Sequence, residues 1–238
     1  MSQIAKPTLS ESIRQRRREG YFPVISEVKV RSDKEGELLR GRDPVALACE
    51  MARNPVAGIS VVTEPTHFGG SLDLLRAVAA AVPLPVLHKD FITTEEQIET
   101  SAACGAAAIL LITAMLDPAR LARLIEVARA CGLESLVEAH SLAEIQQITH
   151  LPFDLMGINN RDITLFETDD NDVGNTERLA GHCRGGRILI SESAIRGAED
   201  VRRAGHCGAD AVLVGTAVLQ AADTGAFLKQ LTSVGWLV

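Results

Sequence analysis

Short aliphatic runs recur along the chain, each closing on polar residues. They are VISEVK (Val24–Lys29), GISVVTE (Gly58–Glu64), LPVLHKD (Leu84–Asp90), AAILLIT (Ala107–Thr113), ESLVEAH (Glu134–His140), DLMGINNR (Asp154–Arg161), RILISES (Arg187–Ser193) and DAVLVGT (Asp210–Thr216). Runs this short, dominated by Val, Ile and Leu, read as strands buried on both faces. Helical spacing fills the intervals: Asp43–Arg53, Ser71–Ala81, Thr94–Cys104, Asp117–Cys131, Ser141–Thr149, Val173–Cys183, Gly197–Cys207 and Ala217–Leu231. Several open on N-cap signals, such as Ser71 after two glycines, the TTEEQ capping-box pattern at Thr94, and Asp117 followed by Pro118.

Regular strand–helix alternation over this length predicts a single α/β domain, a (β/α)8 or TIM barrel. A doubly wound sheet is the alternative, but it rarely uses eight such even units. Residues 1–22 precede the first strand and are expected to form a short extra helix; residues 23–238 form the barrel.

Aromatics make up only 3% of the 238 residues and hydrophobic residues 46%, so the core must be aliphatic. The net charge of −7 speaks against a nucleic-acid binder, which needs a basic face. No apolar stretch reaches the roughly 18 residues of a membrane span, and the N-terminal segment has no apolar core of a secretory signal. The five cysteines (Cys49, Cys104, Cys131, Cys183, Cys207) form no CxxC pair and are expected to be reduced, mostly buried thiols of a cytoplasmic protein.

Strand parity brings in the chemistry. Side chains two apart share a face, which groups Ile25, Glu27 and Lys29; Leu87 and Lys89; Leu136 and Glu138; Leu155, Gly157, Asn159 and Arg161; and Ile188, Ile190 and Glu192. Each series starts apolar and ends charged or amide-bearing. If these faces look inward, one barrel mouth is dry and the other gathers Lys29, Lys89, Arg161, Glu27, Glu138, Glu192 and Asn159. Any single one of these could instead cap a helix or pair on the surface. As a set they are a costly way to build a core, because each buried ion loses several kcal/mol of hydration, and catalytic groups of such barrels lie at the C-terminal strand ends. The turns SESAI and VLVGT offer backbone N–H groups at Ser193, Ala194, Gly215 and Thr216 for a phosphate, although small residues there also serve packing. His88 has the opposite parity and should face the helices, while His140 shares the parity of Glu138 at the rim. His67, His150, His182 and His206 lack metal-ligand spacing. The run Arg14, Arg16, Arg17 and Arg18 reads as a solvated basic face, with steering of an anionic substrate as the alternative.

From about Pro23 to Leu231 the chain resembles the indole-3-glycerol phosphate synthase family. The resemblance rests on SEVK (Ser26–Lys29), TEPTHFGGS (Thr63–Ser71), LHKDF (Leu87–Phe91), LLI (Leu110–Ile112), LVEAH (Leu136–His140), GINNRD (Gly157–Asp162), SESAIR (Ser191–Arg196) and GADAVLVGTAV (Gly208–Val218). It implies conversion of 1-(2-carboxyphenylamino)-1-deoxyribulose 5-phosphate to indole-3-glycerol phosphate with loss of CO2 and water, with no metal or other cofactor. Lys89 would be the general acid at the sugar carbonyl, Glu138 its acid–base partner, and Lys29 beside Glu27 a substrate contact that shares the acid role. Asn159 and Arg161 would position the anthranilate end, and Glu192 the polar network. Phe68, Phe91 and Leu110 would wall the aromatic ring. Ser193, Ala194, Gly215, Thr216 and Ser32 would hold the phosphate. The partner implied is this small phosphorylated substrate, with no nucleic acid and no membrane; a monomer and a chain docked to a pathway neighbour both stay open.

Three departures stand out. Asp33 and Lys34 replace the Pro and Ser of the family's usual Ser-Pro-Ser loop; Ala194 replaces a Gly; and the segment before the first strand is short, so a helix covering the site is expected to be truncated. Competing readings are an aldolase-like barrel with a Schiff base on Lys89, a phosphosugar isomerase, or an inactive barrel that serves as a binding partner.

Overall fold

The structure, a computed structural model, describes residues 6–161, 172–183 and 185–236. Asp162, the last residue of the GINNRD motif, lies outside them. The chain runs through α1 (Leu9–Arg18), β1 (Val24–Val28), the short arms β2 (Arg31–Ser32) and β3 (Gly36–Glu37), α2 (Pro44–Ala52), β4 (Gly58–Val62), α3 (Pro65–Phe68), α4 (Leu72–Ala81), β5 (Val86–Lys89) and α5 (Glu95–Ala103). It continues with β6 (Ala108–Ile112), α6 (Pro118–Ala130), β7 (Glu134–Ala139), α7 (Leu142–Ile148), β8 (Leu155–Asn159), α8 (Gly174–Leu179), β9 (Ile188–Glu192), α9 (Ala198–His206), β10 (Ala211–Val214), α10 (Thr216–Gln220) and α11 (Thr224–Thr232). The expected N-caps are in place: Ser71 accepts from the Leu74 N–H, Thr94 from Gln97, and Asp117 from Ala119 and Arg120.

Eight parallel strands close a barrel in the order β1-β10-β9-β8-β7-β6-β5-β4. Two apolar layers pack the outer strand faces against the helices. A third fills the barrel with Ile25, Leu87, Leu110, Leu136, Leu155, Ile188, Ile190 and Leu213. All of these but Leu110 and Leu213 belong to the parity series read from the sequence, so the charged residues that follow them also look inward.

The lower mouth is closed by α1. Leu9 and Ile13 are fully buried and join the inner layer. The Ser10 N–H donates to Glu134, the Ser12 hydroxyl to the Ala57 carbonyl, and Arg17 pairs with Asp210 at 2.6 Å. All three partners stand at the N-terminal starts of strands. The N-terminal helix thus plugs the end opposite the charged residues, and the arginine run is only partly the solvated face expected: Arg14 and Arg18 are exposed, while Arg16 and Arg17 anchor the helix. Arg17 stacks on Trp236 and Arg16 donates to the Val56 carbonyl.

Three further differences are local. The final predicted helix is two, α10 and α11, because Asp223 starts a new N-cap by accepting from the Ala226 N–H. The antiparallel pair β2–β3 follows β1, where an irregular loop was expected. The five free cysteines are less buried than expected: Cys104 is buried and the other four are half-buried.

Candidate active site

At the C-terminal strand ends a cavity of about 760 Å³ opens, and a second of about 580 Å³ adjoins it. Glu27, Lys29, Lys34, Lys89, Arg161 and Ser193 border both. The larger lobe is walled by Val62, Phe68, Phe91, Leu110, Ile112 and Met115. The smaller is lined by Ala194, Gly215, Thr216, Ala217 and Arg196. The site is thus one trough with an apolar end, a small-residue end, and ions between.

Lys89 sits at the junction. Its Nζ lies 3.1 Å from Glu27 Oε2 and 3.6 Å from Glu192 Oε2, while Lys29 Nζ lies 3.8 Å from Glu27 Oε1. Glu27, Glu138, Glu192 and Lys29 are all buried. Burial alone would drive the Lys89 ammonium to give up its proton, but Glu27, Glu192 and Glu138 outweigh it and hold the group above the usual lysine range. Burial likewise works to raise Glu27, but Lys89 and Lys29 overcome it and keep the carboxyl below its usual range. Glu192 goes the other way. Full burial and the facing Glu138 carboxylate push it up to about 8, against the pull of Lys89.

Two glycines make room for these carboxylates. A Cβ at Gly157 would overlap Glu192 Oε1, and one at Gly215 would overlap Glu27 Oε1. Sequence reading took Gly215 as a backbone donor and Gly157 as a place-holder in its series, and missed this role.

Among the remaining predicted residues, Asn159 and Arg161 line the larger lobe, and the Arg161 N–H donates to Asn159 Oδ1 at 3.0 Å. Phe68 lies 5.6 Å beneath Lys29, and Phe91 is an exposed part of the rim. Ser32 is outside the walls of both lobes; its buried hydroxyl accepts from the Glu35 N–H and so shapes the β2–β3 turn. Ser193 and Ala194 have φ of 67° and 57°, so this turn does need the left-handed conformation that Gly accepts without strain.

Supporting residues escaped the sequence reading. The carboxylate of Glu64 accepts from the N–H groups of Thr66, His67 and Phe68 and so fixes α3, which carries Phe68 to the wall. Asn160 is buried, donates toward Ser191 Oγ and the carbonyls of Glu192 and Ser193, and accepts from Thr176. It clamps the small-residue turn from behind, and its only sequence signal was the second Asn of the GINNRD motif. His88 faces the helices as expected, between Thr63 and Ser101 at 2.7 Å each. His67 lines the cavity and pairs with Asp33 at 2.8 Å, a place its sequence context did not suggest.

A family model described as indole-3-glycerol phosphate synthase matches residues 2–231. A protein of that name from Pyrococcus furiosus is 42% identical over 222 residues, covering 93% of this chain and 95% of its own. An indole-3-glycerol phosphate synthase of Thermococcus kodakarensis is 41% identical over 89% of this chain and 92% of its own. Indole-3-glycerol phosphate synthase 2 of Streptomyces coelicolor is 42% identical over 90% of this chain and 82% of its own.

Proposed function

The chain belongs to the indole-3-glycerol phosphate synthase family, and from that premise we propose how the residues of the trough divide the work. The reaction closes the pyrrole ring of indole-3-glycerol phosphate from 1-(2-carboxyphenylamino)-1-deoxyribulose 5-phosphate and releases CO2 and water. The substrate has an aromatic acid at one end, a phosphate at the other and a carbonyl between. The trough has the matching order of apolar wall, ions and small-residue turns.

The anthranilate ring lies among Phe68, Phe91 and Leu110, with Arg161, Lys29 and Asn159 near its carboxylate. The phosphate takes backbone N–H groups around Ser193, Ala194, Gly215 and Thr216. The sugar carbonyl then meets Lys89. As the ring carbon bonds to the carbonyl carbon, charge grows on the oxygen, and the ammonium stabilises it and transfers its proton. Loss of CO2 follows. The new hydroxyl leaves as water with Glu138 supplying and recovering a proton. Lys29, beside Glu27, assists as a second cation, and Glu192 with Glu27 holds Lys89 in line.

The observation that carries this reading is Lys89 held 3.1 Å from buried Glu27 and 3.6 Å from buried Glu192. Glu27, kept ionised, holds it as an ammonium. That suits a proton donor and works against the free amine a Schiff base needs. Among the described residues no helix is long and apolar enough to cross a membrane, and the free cysteines suit a cytoplasmic setting.

The test is incubation of the folded protein with the substrate, read by the rise of indole fluorescence. Wild-type turnover and its loss in Lys89→Met support the reading; a folded wild type that makes no indole product overturns it.

A further inference from the structure

Glu138 ends a carboxylate–imidazole–carboxylate chain that runs through His140 to Glu144. His140 Nε2 is 3.4 Å from Glu138 Oε1, and its Nδ1 is 3.4 Å from Glu144 Oε2. The ring is nearly buried and is not part of the cavity wall. Its placement is fixed from several directions. The His140 N–H donates to the same Glu144 oxygen at 2.8 Å, its carbonyl accepts from Asn175 at 3.1 Å, and Asn175 also ties in the Asn159 carbonyl at 2.7 Å. Glu144 in turn is set by the first turn of α7, where its N–H donates to the Ser141 hydroxyl.

With Nδ1–H directed to Glu144, the second ring nitrogen faces a carboxylate oxygen. Two lone pairs cannot face each other there without a proton between them. Either Nε2 carries it, giving an imidazolium between two carboxylates, or Glu138 carries it as a neutral acid. We propose that His140 is a positioning residue that stores the proton which Glu138 gives and takes during water loss, with Glu144 holding the ring in register. This rests on the reading of Glu138 as the acid–base group.

The exchange balances. The Nε2–H bond of His140 breaks as an O–H bond forms on Glu138 Oε1, the ring becomes neutral, and Glu138 gives that proton to the departing hydroxyl, which leaves as water. When Glu138 next removes a proton from the substrate, that proton passes on to Nε2 and restores the imidazolium. The charged groups facing the pair are Glu144 from α7 on the His140 side, and Glu192 from β9 with Lys89 from β5 on the Glu138 side. Asn175 from α8 contributes an amide without charge. A length of 3.4 Å is loose for a proton path, as such contacts often are before substrate tightens the site.

The experiment has two arms. In His140→Gln the amide keeps a donor but cannot carry the proton; kcat should fall about tenfold or more while KM stays within about twofold, and the acidic limb of the kcat–pH profile should move. An unchanged profile in a folded variant, or a loss confined to stability or KM, overturns the proposal. The second arm needs no substrate. The ring titration of His140 is followed by NMR in the wild type and in Glu138→Gln, where its midpoint should drop by about one pH unit or more once the facing anion is gone. An unmoved midpoint overturns the proposal even if His140→Gln fails to fold. A wild type without turnover counts against the preceding reading alone, because the NMR coupling is measured without it.

Discussion

Gly157 and Glu192 occupy neighbouring strands, and the carboxylate of one stands where a Cβ of the other would be. The smallest side chain of β8 thereby decides where the most buried acid of the mouth can sit. Gly157→Ala should keep the barrel but force Glu192 aside, with about 1–3 kcal/mol lost to overpacking. Because Glu192 helps to hold Lys89, kcat should fall more than KM rises. Steady-state kinetics beside a urea melt check this; wild-type kcat in the alanine variant would show that Glu192 has room to spare.

Glu192 also gives the fold a pH dependence with a definite sign. Its value in the folded chain, about 8, is above the ordinary glutamate value of the unfolded chain. Between the two the folded state holds a proton that the unfolded state has released. This contribution is therefore complete below the unfolded value and is lost as pH rises through about 8. Wild-type Tm should decline from pH 6 to pH 9, and Glu192→Gln should flatten that decline. Equal slopes in both proteins would assign the titration to another group.

Glu27 contributes with the opposite sign at acid pH. Glu27 is held below its unfolded value, so its share of stability is present above that value and fades as pH falls. Lys89→Met strips Glu27 of its nearest cation, and breaking such a buried pair costs about 3–5 kcal/mol. The deficit should be larger at pH 8 than at pH 5, where Glu27 can take up a proton. Activity should drop by roughly a thousandfold at every pH, as removal of a general acid predicts. Urea unfolding at the two pH values measures the first claim, and a deficit that grows on acidification contradicts it.

Much of this was legible in the sequence, and the reason is parity. Buried barrel strands leave one face for the helices and one for the axis, so Leu87 to Lys89 and Leu136 to Glu138 could be read as inward series before any coordinates. What escaped depends on close approach between segments far apart in the chain. The space at Gly157 exists because of Glu192, and the clamp of Asn160 exists because Ser193 turns back over it. Neither leaves a periodic trace. Ser32 misled for a similar reason: the hydroxyl of a loop residue can serve a ligand or its own turn, and here it serves the turn.

Ala194 stands at φ 57°, where a left-handed residue with a Cβ costs about 1–2 kcal/mol. Ala194→Gly should recover about 1 kcal/mol of this, raising Tm by roughly 2–4 °C for a chain of this size. Glycine also gains freedom in the unfolded state, which trims the benefit. Substrate affinity should hold if the phosphate uses only the N–H of this residue. A fall in Tm would mean that contacts of the Ala194 methyl outweigh the backbone strain.

The helix α1 separates stability from catalysis. Leu9 and Ile13 fill the lower mouth against Ile25, Ala57 and Leu87, at the far end of the barrel from Lys89. Leu9→Ala should cost about 2–5 kcal/mol, the range for emptying a well-packed apolar site. The mouth with Lys89 and Glu138 is built from the other strand ends, so kcat and KM measured well below the melting point should stay within about twofold of wild type. The same logic extends to Arg17→Ala, which removes the ion pair to Asp210 and the stack on Trp236. It should lower Tm and leave the salt dependence of kcat/KM unchanged, because the arginines stand too far from the substrate entrance to steer an anion. A weaker salt dependence in this variant would restore a steering role to the basic run, and a loss of kcat without a loss of Tm in Leu9→Ala would show that the plug is coupled to the chemistry above it.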